Sequence, residues 1–266
     1  MLKQATSLAV AISGLLMVTV TRVAAQEMGM MMQPGADKMK VSVQSPADGS
    51  TITSNSLQLR VTTSGYHASC ALAGKPNQEG QGHYHVLLDK ALVNMYCTGT
   101  AVVSLQNVKP GPHTVTVVPA QNDHAEIEHN AGSIKIDYAP SKALVDLSSS
   151  TVAGAPSIKI VSPKEGATVS GSFDVVVQLT NFNLSCDLFG RPDVAGYGHW
   201  HLNLDSMTGP MMGMMTMAGM SCRTAFHAST AGLKPGSTHT LITLLAGNSH
   251  APLMPTVADQ VKVMVR

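Results

Sequence analysis

Two short segments of the chain each carry a pair of histidines separated by one aromatic residue, His83 and His85 in the first and His199 and His201 in the second. In an extended strand alternate side chains share a face, so both histidines lie opposite the aromatic residue between them. We expect that residue to face a hydrophobic core, and the two imidazoles, with Cα atoms roughly 6.5 to 7 Å apart, to converge on one ion. Imidazole is a ligand for copper and zinc, so each segment predicts part of a metal site.

A third histidine recurs later in both halves, at His124 in Asn-Asp-His-Ala and at His250 in Asn-Ser-His-Ala. Each follows a strand-like segment, so a loop at the strand end can return its imidazole toward the His-x-His strand. We therefore predict both as third ligands. His113 and His239 follow a Pro-Gly turn and are expected to hydrogen-bond that turn. The remaining histidines have no counterpart in the other half and are expected on the surface: His67, His129 and His227.

These segments belong to an internal duplication with a period of more than 100 residues. A shift of 116 positions superposes Cys70 on Cys186 and one His-x-His segment on the other, whereas Cys97 matches Cys222 at a shift of 125. The second copy therefore carries an insertion, which falls within residues 207–220.

Both copies show short strand signals between Gly, Pro and Asn turns, for example at residues 57–61 and 173–179. About seven strands per copy predict an all-β chain of two tandem Ig-like antiparallel β-sandwich domains, each folding independently. The predicted segments are a signal peptide at 1–25, a Met-rich flexible leader at 26–39, the first Ig-like repeat at 40–138, a linker at 139–156 and the second repeat at 157–266.

The N-terminus has the features of a secretory signal peptide. Lys3 precedes an apolar stretch at residues 8–20, and small residues at 23–25 form a cleavage site. No later apolar run approaches the roughly 20 residues that span a bilayer, so we expect no membrane span and a periplasmic or secreted protein. The 17 Lys and Arg residues balance 16 Asp and Glu residues, which argues against nucleic acid as a partner.

Four cysteines in an exported chain form an even set, which favours disulfides. The repeat register pairs Cys70 with Cys97 and Cys186 with Cys222, so that each bridge closes the same loop around a His-x-His strand. In the chain-entropy account each bridge contributes roughly 3 to 4 kcal/mol. Two alternatives are four buried thiols and thiolate metal ligands, although the latter lack any Cys-x-x-Cys element.

Methionine is abundant, with 17 residues, and it clusters in the insertion among Gly, Thr, Ala and Pro rather than Leu, Ile or Val. We therefore expect an exposed loop, whose thioethers are soft ligands suited to Cu(I). A low-complexity loop or an oxidant sink is the alternative. The predicted thioether ligands are Met211, Met212, Met214, Met215, Met217 and Met220. The leader repeats the theme with Met28, Met30, Met31 and Met32.

Together these motifs resemble a bacterial family of exported Ig-like modules of unknown function, whose core motif reads Gly-His-His-His-Leu. The second copy matches better, with a Ser-Pro-x-x-Gly start, the Gly-His-x-His strand, a Pro-Gly turn before His-Thr, and Asn-x-His-x-Pro ending at Pro252. The first copy has Glu126 in place of that proline, and the middle histidine of the motif is Tyr84 or Trp200 here. The resemblance implies the fold and the site rather than an activity.

The predicted function is an exported, non-catalytic copper-binding protein for metal storage or delivery, with His sites for Cu(II) and thioethers for Cu(I). Its Met clusters resemble those of periplasmic copper-handling proteins. The expected partners are a metal ion and a periplasmic or outer-membrane protein. One alternative is an adhesion or scaffold module. A second is an enzyme similar to copper/zinc superoxide dismutase, whose zinc loop is not visible here. No Ser/His/Asp series, phosphate loop or paired carboxylates indicate hydrolysis or transfer, so no catalytic residue is predicted.

Overall fold

The computed structural model describes residues 32–207 and 209–266. Met32 to Arg266 belong to one compact unit, built mainly of β-strands. The predicted signal peptide and the leader methionines at 28, 30 and 31 lie outside the described residues. In the part of the chain that is described, no helix has the length and apolar character needed to cross a membrane.

The first copy contains nine strands, because its short apolar segments are interrupted by turns rich in Gly, Pro and Asn. The strands are β1 Lys40–Ser45, β2 Ser50–Ile52, β3 Ser56–Ser64, β4 His67–Ala68, β5 Gln81–Leu88, β6 Ala91–Tyr96, β7 Thr100–Ser104, β8 Gly111–Ala120 and β9 Gly132–Tyr138. Single-turn 3-10 helices lie at Ala36–Lys38, Cys70–Leu72 and Glu128–Asn130.

The second copy repeats this order with nine further strands. They are β10 Ser157–Ser162, β11 Ala167–Val169, β12 Ser172–Thr180, β13 Asn183–Leu184, β14 Tyr197–Leu204, β15 Met217–Ser221, β16 Ala225–Ser229, β17 Thr238–Ala246 and β18 Ala258–Val265. Its insertion adds a short helix α1, Pro210–Gly213, and a 3-10 turn at Met214–Thr216.

Each copy is a sandwich of two sheets, and the two copies share one topology. In the first copy the sheet β1-β3-β7 packs against the sheet β2-β9-β8-β5-β4, and β6 is also paired to β5. In the second copy the sheet β10-β12-β16 packs against the sheet β11-β18-β17-β14-β13, and β15 is also paired to β14. Only the short edge strands β2, β4, β11 and β13 pair in parallel. The prediction of two tandem Ig-like β-sandwiches is confirmed, with nine rather than seven strands per copy. Independent folding of each copy remains a prediction.

Alternation along the His-x-His strands β5 and β14 separates the cores from the histidines, as predicted. Tyr84 and Val86 lie in the first core, and Trp200 and Leu202 lie in the second. Both aromatic side chains are fully buried. Burying a large apolar side chain contributes roughly 1.5 to 3 kcal/mol, so a shift of one residue in either strand would be costly. The histidines are thereby directed out of their own sandwich.

The outward-directed histidines are nevertheless buried, because the two copies pack together across these faces. Lys75, in the loop before β5, lies 5% exposed and donates from Nζ to the carbonyl oxygens of Ser229 and Ala231 in the second copy, at 2.7 and 2.6 Å. Burial lowers its pKa to about 8. A buried cation held by carbonyl groups of the other copy fixes the relative position of the two sandwiches.

A basic side chain of the second copy makes the equivalent contact with the first copy. Arg191, which matches Lys75 at the shift of 116, donates to the carbonyl oxygens of Ser104 and Gln106 at 2.6 and 3.2 Å. Burial lowers its pKa to about 10, an effect that Asp89 partly opposes. The interface is therefore reciprocal, as expected when two copies of one module face each other about an approximate two-fold axis.

The Met-rich insertion is not the exposed loop expected from its composition. Its last residues form β15, in which Met220 lies opposite His201 and Met217 opposite Asn203 of β14. Both methionines fall on the histidine face, join the apolar cluster of the first copy and are 9% and 1% exposed. The expectation of exposure is wrong for them because an edge strand docked against the other copy buries the side chains directed toward it. Of the other predicted ligands, Met214 and Met215 are half-buried, Met212 is exposed, and the side chain of Met211 lies outside what is described.

Candidate metal centres

The three predicted histidines of the first copy meet at one point, here called the first triad. His83 Nε2 lies 3.1 Å from His85 Nε2 and 3.1 Å from His124 Nδ1, and the last two atoms are 3.2 Å apart. Strand β5 supplies His83 and His85, and the loop after β8 supplies His124. The ring nitrogens form a nearly equilateral triangle.

The second copy builds an equivalent second triad from β14 and the loop after β17. His199 Nε2 lies 2.9 Å from His201 Nε2 and 2.9 Å from His250 Nδ1. Within each triad one nitrogen of every ring lies within 4.8 Å of the other two, and all three residues are buried. The structure therefore brings together every histidine predicted as a ligand, in two separate groups of three.

The third histidine of each triad is placed by a tight loop with left-handed backbone. His124 has φ 65° and His250 has φ 67°, and their amides donate to the carbonyls of Gln121 and Gly247 at 3.0 and 3.2 Å. A residue other than glycine loses roughly 1 to 2 kcal/mol in this conformation. The same left-handed conformation therefore occurs in both copies at the residue that completes the triad.

Hydrogen bonds on the outer side of each third histidine come from the other copy. His124 Nε2 donates to the carbonyl oxygen of Met217 at 2.7 Å, and His250 Nε2 donates to that of Leu92 at 2.9 Å. A proton on Nε2 leaves the Nδ1 lone pair directed at the other two rings. Each copy therefore orients one histidine of its neighbour's triad.

Burial opposes protonation of five triad imidazoles, which are His83, His124, His199, His201 and His250. It lowers the pKa of His83 and His199 well below the usual value, to about 3 for His124 and His201, and to about 4 for His250. Charge on neighbouring histidines lowers the pKa values further. The pKa of His201, in the second triad, is lowered in this way by His124 of the first triad. The two triads thus lie within electrostatic reach of each other, and their lone pairs remain available for an ion.

The nitrogen triangle has the size that a small metal ion needs. Nitrogen bonds to zinc are about 2.0 Å long, and three nitrogens 3.1 to 3.2 Å apart can all reach one ion at that distance with N–metal–N angles of about 100°. This value is close to tetrahedral and leaves a fourth position open. Nδ1 of His83 and Nδ1 of His199 are buried and form no hydrogen bond with the described residues, so no protein group fixes the tautomer of either ring from that side.

The other histidines lie where the sequence places them. His113 Nε2 is 2.8 Å from the carbonyl oxygen of Lys109, and His239 Nε2 is 2.8 Å from Ser237 Oγ, so both contact their Pro-Gly turns as predicted. The three histidines without a counterpart are exposed, as predicted: His67, His129 and His227.

Both predicted disulfides are present. Cys70 pairs with Cys97 and Cys186 with Cys222, with Cα atoms 5.5 and 5.1 Å apart. Each bridge ties the segment that precedes a His-x-His strand to the end of the edge strand paired with it, β6 or β15. No free cysteine occurs in the described residues, so the alternative of thiolate ligands is not supported.

One thioether beside the triads was missed in the sequence. Met95 lies opposite His85 in the pairing of β6 with β5, as Met220 lies opposite His201. Directly opposed residues of antiparallel strands have Cβ atoms about 4.5 to 5.5 Å apart, so each triad has a methionine next to it on the same face. The signal was available, because the shift of 125 that aligns the later cysteines also aligns Met95 with Met220. Met95 was not predicted as a ligand because it lies outside the Met-rich segments.

No protein-family model matches the chain, and no curated protein matches it. Solved structures similar to this chain include the fibronectin(III)-like modules of CbhA from Clostridium thermocellum, at 13% identity and a TM-score of 0.27, with 85% of this chain and 94% of that one covered. The chicken CNTN1 FN1-FN3 domains align at 13% identity and a TM-score of 0.24, covering 86% and 68%. A Dscam structure aligns at 7% identity and a TM-score of 0.22, covering 85% and 46%. The fold assignment therefore rests on the topology of the chain itself.

Proposed function

We propose that this protein is an exported copper-binding protein that holds one ion in each histidine triad and stores or delivers it. The first triad carries the supporting observation. His85 Nδ1 donates to Glu126 Oε1 at 2.6 Å and His124 Nε2 donates to Met217, so when both rings are neutral their protons lie outside the triangle. Their remaining nitrogens present lone pairs to each other at 3.2 Å, and only His83 can place a proton between them. A cation at the centre removes this repulsion.

Copper is favoured over zinc by the chemistry of the donors. Imidazole sites of equal geometry bind Cu(II) more tightly than Zn(II), and thioethers suit Cu(I). Met95 and Met220 each lie in register beside a triad. Thioether is not among the usual zinc ligands, which are thiolate, imidazole and carboxylate. Cu(I) binding by the predicted methionines of the insertion belongs to the same proposal.

Export is supported by the two disulfides, because such bonds persist in the periplasm or outside the cell and are rare in the cytosol. The predicted signal peptide agrees with this location.

Metal content measured on the purified full chain tests the proposal. The wild-type protein should bind two equivalents of Cu(II), His83→Asn and His199→Asn one each, and the double variant none, because the shorter amide cannot reach the triangle. His227→Asn is the matched control, since that side chain is 69% exposed and contacts Asp174 rather than a triad histidine. Far-UV circular dichroism and Trp200 fluorescence check that each variant is folded. Copper bound equally by the double variant and the wild type would refute the assignment.

A scaffold or adhesion module is the competing function, and one observation favours it. The ring nitrogens already lie at hydrogen-bonding distance, so each triad can be held by a shared proton without an ion. The bonds from His124 to Met217 and from His250 to Leu92 then join the two copies. In that case no variant would change copper content, and the triad variants would lower stability whereas His227→Asn would not. An enzyme like superoxide dismutase is less well supported, because the two triads of the described residues share no histidine that could bridge two ions.

A further inference from the structure

The two triads are chemically unequal although their histidines superpose. Glu126 and Pro252 occupy matching positions two residues after the third histidine, each in an isolated β-bridge to the end of the preceding strand. Glu126 Oε1 accepts a hydrogen bond from His85 Nδ1 at 2.6 Å, and its side chain is 29% exposed. Proline has no side-chain acceptor, so the equivalent histidine of the second copy, His201, cannot have this partner.

A second difference acts in the same direction. The Phe189 ring packs edge-on to His199, with centroids 4.6 Å apart, and stacks against His250 at 5.7 Å. The matching residue of the first copy is Ala73, which has no ring to offer. The first triad therefore has a carboxylate behind one ligand, whereas the second has an aromatic wall.

These differences act on the charge of a bound ion. A carboxylate behind a ligating imidazole increases its basicity and attracts the ion in proportion to the ionic charge. An apolar wall excludes water, which makes a doubly charged ion more costly to bury than a singly charged one. Asp193 lies within electrostatic reach of His250, but its hydrogen bonds go to Ser249 and not to a triad histidine. Resting on the proposed function, we infer that Glu126 makes the first triad a site for a divalent ion, and that the second triad, with Phe189 and no carboxylate bonded to a ligand, favours monovalent Cu(I).

The test compares the ions at one triad at a time. In the full chain, His199→Asn leaves the first triad and His83→Asn leaves the second, and chelator competition gives affinities for Zn(II) and, without oxygen, for Cu(I). Zn(II) is chosen because it has no redox chemistry, so the comparison reports charge. The ratio of Zn(II) to Cu(I) affinity should be at least about tenfold higher at the first triad. If neither ion binds either parent variant, the proposed function fails rather than this inference.

Glu126→Gln in the His199→Asn background removes the charge but keeps an acceptor oxygen. Loss of such a partner should weaken Zn(II) binding about 10- to 100-fold, and Cu(I) only about 3- to 10-fold, because the Coulomb energy halves with the charge. Pro252→Glu in the His83→Asn background should do the opposite and strengthen Zn(II) more than Cu(I). Far-UV circular dichroism checks the fold of each variant, because Trp200 lies in the core of the second copy only. Equal changes for both ions, or no change in either variant, would overturn the inference.

Discussion

Gly190→Ala should break the contact that orients the third histidine of the second triad. Gly190 has φ +71°, and a Cβ added there would lie under 3.0 Å from the carbonyl oxygen of Leu92 in the other copy. That oxygen is also the acceptor for His250 Nε2. One methyl group therefore collides with the interface and with the hydrogen bond that sets the ring. Gly74 occupies the matching place in the first copy, against the backbone around Met217.

The free energy of unfolding that Gly190→Ala loses has two parts, and a control variant, Gly236→Ala, shares only the first of them. Alanine in a left-handed conformation costs roughly 1 to 2 kcal/mol. Gly236→Ala has the same cost, since Gly236 has φ +79°, but no atom lies within 4 Å of its added Cβ. Forcing a methyl into a packed contact costs roughly 1 to 3 kcal/mol, and leaving the His250 donor unpaired costs roughly 1 to 3 more. Gly190→Ala should therefore be about 2 to 6 kcal/mol less stable than Gly236→Ala.

Urea unfolding of the metal-free full chain measures the difference. Trp200 is the single tryptophan of the chain and is fully buried in the second core, so its fluorescence reports unfolding of the copy that carries Gly190. Copper titration of the two variants should show weaker binding by Gly190→Ala at one of two sites. If the two variants unfold within about 0.5 kcal/mol of each other and bind copper alike, the copies do not pack through this contact and the reasoning is refuted.

Three further predictions concern pH, the thioethers and the buried cations. The metal-free protein should be most stable above the unfolded histidine pKa of about 6.5. It should lose stability as pH falls toward the folded pKa values of about 3 to 4 of His124, His201 and His250, by up to about 1.4 kcal/mol per pH unit for each of these histidines. A flat profile of urea midpoints from pH 7.5 to 5 would contradict this. The double variant Met95→Leu, Met220→Leu should bind Cu(I) at least about tenfold more weakly in chelator competition, with its Cu(II) affinity unchanged. Equal losses of affinity for both ions would count against thioether ligation. Lys75→Met and Arg191→Met should each lower the free energy of unfolding by about 1.5 to 3 kcal/mol, because each removes a charged donor from buried carbonyl oxygens. Lys159→Met, at an exposed position, should change it little. Thermal unfolding distinguishes these outcomes.

Much of the site could be predicted because its signals are local or repeated. The period of two along a strand assigned His83 and His85 to one face and the aromatic residue to the core, and the structure agrees. The repeat register paired the cysteines correctly, since two copies of one module must form the same bridge. The left-handed loop at His124 has no comparably specific signal, yet its place after a strand was enough to nominate that residue.

The interface between the copies was decided by tertiary structure alone. The acceptors for the third histidines are the main-chain oxygens of Met217 and Leu92, and every residue type carries such an oxygen, so no letter in the sequence marks them. The prediction that the Met-rich insertion is exposed was wrong for Met217 and Met220 for a related reason. Composition cannot show that β15 is covered by a sandwich more than 100 residues away in the sequence. Burial between two modules depends on the shapes of both faces, and neither strand periodicity nor residue spacing records that fit.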